Sequence, residues 1–149
     1  MANGNTHRII GTFSGLGFSV YKAKDQQGLP FLLESVGGSF GGYLGGRAPD
    51  IFEPPIHPNH RSTAHGFLPV LTIGYLGADW LTQWQKKLRD TAQHYSTLSE
   101  QATTEFEKIW FALLAMVLRF FCGVLAGMYA GYGSHIVLDA MTPKGLPLY

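Results

Sequence analysis

Phe31-Leu32-Leu33-Glu34-Ser35-Val36-Gly37-Gly38-Ser39-Phe40-Gly41-Gly42-Tyr43-Leu44-Gly45-Gly46 carries two glycine ladders, each with a step of four residues. Gly37, Gly41 and Gly45 form one, Gly38, Gly42 and Gly46 the other, and Gly123, Gly127 and Gly131 form a third far along the chain. Residues four apart share a helix face, and small ones there let two backbones touch, a common association device in membranes. In water so many glycines would weaken an isolated helix by roughly 1 kcal/mol each relative to alanine. The ladders therefore favour helices that lie in a membrane or are buried. A flexible glycine-rich loop is the alternative, since glycine is also the commonest loop residue.

Working outward, Ile109 to Ala130 is apolar and about long enough to span a bilayer, but Arg119 stands near its middle. An arginine in lipid must face protein, a partner or water, and Glu34 is the partner this sequence offers. The other apolar segments, Ile9 to Val20, Phe31 to Gly46 and Gly66 to Leu81, are short or interrupted and resemble core helices as much as spans. A first helix is expected from about Thr6 to Lys24, then a turn through Asp25 to Pro30 and a helix from Phe31 to about Gly45. Arg47 to Ser62 holds Pro49, Pro54, Pro55 and Pro58, which disfavour helix and central strand, so a long irregular loop is expected there. Ser62 or Thr63 can cap a helix through Trp84, followed by a polar amphipathic helix over about 85–108 that suits a cytoplasmic extension or partner surface. A final helix from Glu105 to about Tyr132 leads into a shorter one. Strand-like alternation is scarce, and the expected class is all-α: a bundle of about four to five helices, membrane-embedded or membrane-associated.

With 149 residues the chain is expected to form one domain, 1–149. Eleven Lys and Arg against ten Asp and Glu, without a basic run, leave no electrostatic footprint for nucleic acid. Cys122 is the sole cysteine and reads as a small core residue, so neither a disulfide framework nor a cysteine-rich zinc site is expected. A polar N-terminus gives no sign of a cleavable signal peptide. The loops show no Lys and Arg asymmetry from which to assign an inside.

Four of the six histidines stand near carboxylates in short clusters: His7, then Asp50 leading to His60 and His65, and finally His135 with Asp139. Imidazole nitrogen and carboxylate oxygen both bind zinc and similar ions. His135 and Asp139, four apart, would share a helix face and offer two ligands, although an intrahelical hydrogen-bonded pair fits the same spacing. Bringing Asp50, His65, His135 and Asp139 together requires the chain to fold back, so a site would sit between helices. His57, between prolines, reads as an exposed loop residue and His94 lies in a polar stretch, so both are left outside it.

These residues are also where the chain resembles a known family, the predicted membrane-bound metal-dependent hydrolases of the YdjM-like, LexA-binding type. The opening Thr-His-x-x-x-Gly of that family is matched by Thr6, His7 and Gly11, and its Leu-Pro-Asp by Ala48-Pro49-Asp50. His60 to Gly66 resembles its His-Arg-Gly-x-Thr-His-Ser, with Ser62, Ala64 and Gly66 as departures. Its closing Ser-His-x-x-x-Asp-x-x-Thr-Pro-x-Gly is matched in full by Ser134, His135, Asp139, Thr142, Pro143 and Gly145. Phe52 stands where a second acidic residue is often found, with Glu53 next door. More remotely, the family is similar to the helical zinc phospholipase C and P1 nuclease superfamily.

The resemblance implies a divalent metal, zinc before manganese or iron, with His7, Asp50, His65, His135 and Asp139 as ligands. His60 would be a ligand or general acid, and Arg61 a phosphate clamp unless it is solvated or paired with Glu53. It implies hydrolysis of phosphoesters by metal-activated water, in the bacterial inner membrane and in contact with lipid. The competing expectation is a non-catalytic helical membrane protein that forms homo-oligomers through its glycine ladders, with a structural metal or none.

Overall fold

The computed structural model describes residues 4–52 and 67–141. It contains five helices, α1 (Gly4–Lys22), α2 (Gly28–Gly45), α3 (Ala48–Phe52), α4 (Phe67–Gln101) and α5 (Glu105–Ala140), and no strand among the described residues. The all-α bundle expected from the sequence is what forms.

Boundaries differ from the expected ones in four places. α2 begins at Gly28, whose φ of 60° marks it as the one described residue in the left-handed region. Pro30 falls within its first turn, where no intrahelical N–H is needed. Within the proline-bearing stretch, Ala48–Phe52 forms the short α3 and carries Asp50, with Pro49 likewise in the first turn. The helical continuation expected beyond Trp84 is what forms, and α4 runs unbroken for 35 residues, about 52 Å, but it ends at Gln101, short of the expected 108. Chain reversal happens instead at Ala102–Thr104, where Thr104 caps α5: its Oγ1 accepts from the Glu107 N–H and donates to the Glu107 carboxylate. α5 also runs straight through Tyr132, so His135 and Asp139 lie on the same helix as the glycine ladder. Residues 53–66, with the remainder of the expected loop, lie outside the described residues.

α1, α2 and α5 meet along glycine, in layers spaced one helical turn apart. Ser19, Glu34 and Gly123 form the first layer, Gly15, Gly38 and Gly127 the second, Gly11, Gly42 and Gly131 the third, and His7, Gly46 and His135 the fourth. The register is constant, with α1 antiparallel to α2 and α2 parallel to α5. A Cβ at Gly38, Gly42, Gly123, Gly127 or Gly131 would overlap backbone or side-chain atoms of a neighbouring helix. A second row, Gly37, Gly41 and Gly45, meets the carbonyls of Phe120, Val124 and Met128 on α5 in the same way. Both ladders of α2 are therefore used within one chain. α1 completes the seam with Gly11 and Gly15, and a three-helix contact this close requires small residues on every partner.

α4 packs antiparallel on α5, tied by Ser99 Oγ donating to the Lys108 carbonyl (2.8 Å), Gln85 Nε2 to the Cys122 carbonyl (3.3 Å) and Tyr129 Oη to the Gly74 carbonyl (3.0 Å). Leu81, Gln85 and Ala92 are its buried contact row.

Polarity is distributed inside out. His7, Ser19, Glu34, Ser35, Gln85, Arg119, His135 and Asp139 are buried, whereas Phe13, Leu32, Val36, Phe40, Ile109, Trp110 and Phe121 are exposed. On α5 the exposed row Phe106, Trp110, Leu113, Val117, Phe121 keeps helical spacing. Among the described helices α5 is the one long and apolar enough to cross a membrane, and only 33% of its apolar 18-residue window is buried. A core helix of a water-soluble protein would be mostly covered, whereas apolar surface this extensive suits lipid.

Candidate metal centre and a buried ionic cluster

The fourth glycine layer ends in a cluster of titratable side chains. α1 contributes His7, α5 contributes His135 and Asp139 one turn apart, and α3 brings Asp50. Gly46 makes the approach possible: a Cβ there would meet the His7 carbonyl, and its own carbonyl lies 2.8 Å from His135 Nδ1. A carbonyl only accepts, so Nδ1 carries the proton and the neutral ring keeps its lone pair on Nε2. This is the arrangement by which a backbone oxygen orients a metal-binding histidine.

His135 Nε2 stands 3.6 Å from Asp139 Oδ2 and 3.6 Å from Asp50 Oδ1, while His7 Nε2 is 3.6 Å from Asp139 Oδ1. The two imidazoles stack with centroids 3.9 Å apart. These separations exceed a hydrogen bond. They are close to the spacing of two ligands on one ion, since donors about 2.0–2.1 Å from a tetrahedral zinc lie roughly 3.3 Å from each other. One ligand atom from each of His7, His135 and Asp139 lies within 4.8 Å of the others, so the three can share an ion. The nitrogen and oxygen donor set suits zinc, with manganese or iron as alternatives. All three are buried, whereas the Asp50 side chain, 31% exposed, stands at the edge of the cluster.

The structure thus brings together four of the expected ligands, His7, Asp50, His135 and Asp139. His60, Arg61 and His65 lie outside the described residues, as do Thr142, Pro143 and Gly145 of the closing motif. Ser134 of that motif turns away from the cluster and donates to the Gly131 carbonyl at 2.8 Å.

A second polar cluster occupies the first layer, at the opposite end of the glycine seam. Arg119 and His135, sixteen residues apart on α5, are separated by about 24 Å of helix. Glu34, 0% exposed, accepts from Arg119 Nη1 at 3.0 Å, the ion pair expected from the sequence. It also accepts from Arg89, through Nε at 3.1 Å and Nη2 at 2.6 Å, and Arg89 Nη2 donates further to the Lys22 carbonyl at 2.9 Å. Arg119 Nη1 additionally reaches Gln26 Oε1 at 2.7 Å. Arg89 and Gln26 were not legible as members of this cluster. The available signal was weak: Leu81, Gln85, Arg89 and Ala92 follow helical spacing within a charged-looking stretch.

No curated protein and no solved structure matches this chain. The model of the family described as YdjM inner membrane protein matches residues 1–149, so this bundle, with its apolar exterior, glycine seam and paired polar clusters, belongs to the YdjM inner membrane protein family.

Proposed function

We propose that the chain is a metal-dependent hydrolase of phosphoesters, with His7, His135 and Asp139 holding a divalent ion, zinc before manganese or iron, and Asp50 adjoining them. The observation that carries this reading is the convergence of three buried donors from two helices, with His135 oriented by the Gly46 carbonyl. A bound ion would supply Lewis acidity and an activated water for attack on phosphorus. The chain's own residues have narrower tasks. Gly46 fixes the His135 tautomer, Asp139 spans the two imidazoles, and Asp50, on the more open side, suits a base or an additional ligand. His65 would complete the ligand set, with His60 as ligand or general acid and Arg61 as the phosphate clamp. This reading keeps the remote likeness to zinc phospholipase C and P1 nuclease as its chemical rationale.

A second reading is favoured by the burial of the ligand set, because a catalytic site needs an open position. In it the ion is a structural staple of a membrane assembly protein, or is absent, and copies of the chain associate in the membrane.

Elemental analysis of protein purified from membranes tests both. One or more ions per chain are expected in the wild type and none in a His135→Ala, Asp139→Ala double variant. Metal-free wild type would overturn the enzyme reading. Metal with hydrolysis of an aryl phosphodiester, lost in Asp139→Asn, supports catalysis, whereas metal without hydrolysis across phosphodiester and phosphomonoester substrates assigns the ion a structural role.

A further inference from the structure

The ionic cluster of the first layer opens into a cavity of about 420 Å³, lined by Lys22, Lys86, Arg89 and Arg119 together with Gln26 and Gln93. Lys86 is neutralised by Asp90 at 2.7 Å. That leaves Lys22, Arg89 and Arg119 facing Glu34, three cations against one carboxylate among the described residues, with Lys22 Nζ bonded to a neutral acceptor, Thr82 Oγ1, at 3.2 Å. Arginine does not shed its proton, so a partly buried excess of this kind calls for an anion. Guanidinium and ammonium donors together suit phosphate.

A second cavity, of about 300 Å³, shares Arg119 and Gln93 with the first and continues between α2, α4 and α5. Its α2 and α5 walls are apolar where they leave Arg119, with Leu29, Leu33, Ala112, Ala115 and Met116, whereas α4 lines it with Gln93, Ser96, Ser99 and Glu100. It adjoins the exposed Leu29, Leu32 and Leu113, on the surface suited to lipid. A basic chamber joined at one arginine to a groove with apolar walls on two of its three helices has the polarity profile of an amphiphile with a phosphate head. We propose that this pair of cavities binds a phospholipid with an exposed phosphate, the phosphate among Lys22, Arg89 and Arg119 and an acyl chain along Leu29, Leu33 and Met116. The site is distinct from the metal cluster, about 24 Å away along α5.

Titration calorimetry on the full chain in a non-ionic detergent tests this, with dioctanoyl phosphatidate, inorganic phosphate and dioctanoylglycerol as probes. The expected result is phosphatidate binding at least tenfold tighter than either of the others. Lys22→Ala should weaken it by about tenfold and Lys22→Arg should restore it. Ala112→Trp, filling the groove, should weaken phosphatidate and leave inorganic phosphate unchanged. Should that bulk not be accommodated, Leu29→Asn, at a position 52% exposed, makes the same test. Asp139→Asn should bind phosphatidate as the wild type does, which separates this site from the metal reading. Absence of phosphatidate binding, equal binding of inorganic phosphate, or indifference to both the Lys22 and the groove variants would each overturn the proposal.

Discussion

The two ends of the glycine seam both bury charged or titratable groups, yet they are built differently. At the Glu34 end the groups are in direct contact: N···O distances run from 2.6 to 3.2 Å and the carboxylate is shared by two arginines. At the His135 end the pairs stand at 3.6 Å, across helices for His7–Asp139 and His135–Asp50 and within α5 for His135–Asp139, with a carbonyl orienting one ring. Equal burial thus produces two kinds of object. The first holds helices together through short ion pairs, whereas the second gathers nitrogen and oxygen donors in the geometry of a ligand set.

Removing Glu34 should give the largest effect. Glu34→Ala leaves the buried Arg119 facing the partly exposed Arg89, and breaking a buried pair typically costs about 3–5 kcal/mol. Denaturation in detergent should show that loss while metal content per folded chain stays at the wild-type value. A loss well under 1 kcal/mol would mean that water already solvates the arginines, erasing the contrast between the ends.

Metal linkage should come next. With zinc at a hundredfold its Kd, the wild type should gain about 2.7 kcal/mol over the chelated protein. Asp139→Asn and His135→Ala should gain nothing, and Glu34→Gln, where folded, should keep the gain. A zinc-dependent shift that survives Asp139→Asn would place the ion elsewhere.

Between the two ends, Gly42→Ala sets a Cβ against the Gly11 carbonyl, a backbone atom that cannot swing aside. About 1–3 kcal/mol of destabilisation is expected, whereas Gly17→Ala on the same bundle meets nothing and should be stabilising or neutral. Equal responses at the two positions would refute close contact along the seam. Lys86→Ala, at an exposed pair with Asp90, should leave the thermal midpoint unchanged within measurement scatter.

Much of the site was readable before folding was considered, because histidine and carboxylate within a few residues advertise themselves and the glycine ladders repeat at helical spacing. The pairing of Arg119 with Glu34 was also accessible, since a lone arginine in an apolar run demands a counter-charge. Arg89 was hidden for the opposite reason: in a polar helix one more arginine carries no surprise, and only docking of α4 on α5 turns it inward. Gly11 and Gly15 were hidden because they are fewer than the glycines of α2, and their role depends on which helix faces them.

The sequence by itself determined that the chain is helical, which residues are small enough for contact and which side chains can hold a metal, since these follow from periodicity and donor chemistry. Tertiary structure alone decided that one register aligns His7, Gly46 and His135 at one end and Ser19, Glu34 and Gly123 at the other. Helix propensity is blind to register. Backbone contact is not, because only glycine opposite a carbonyl lets three helices approach closely enough for both polar clusters to form.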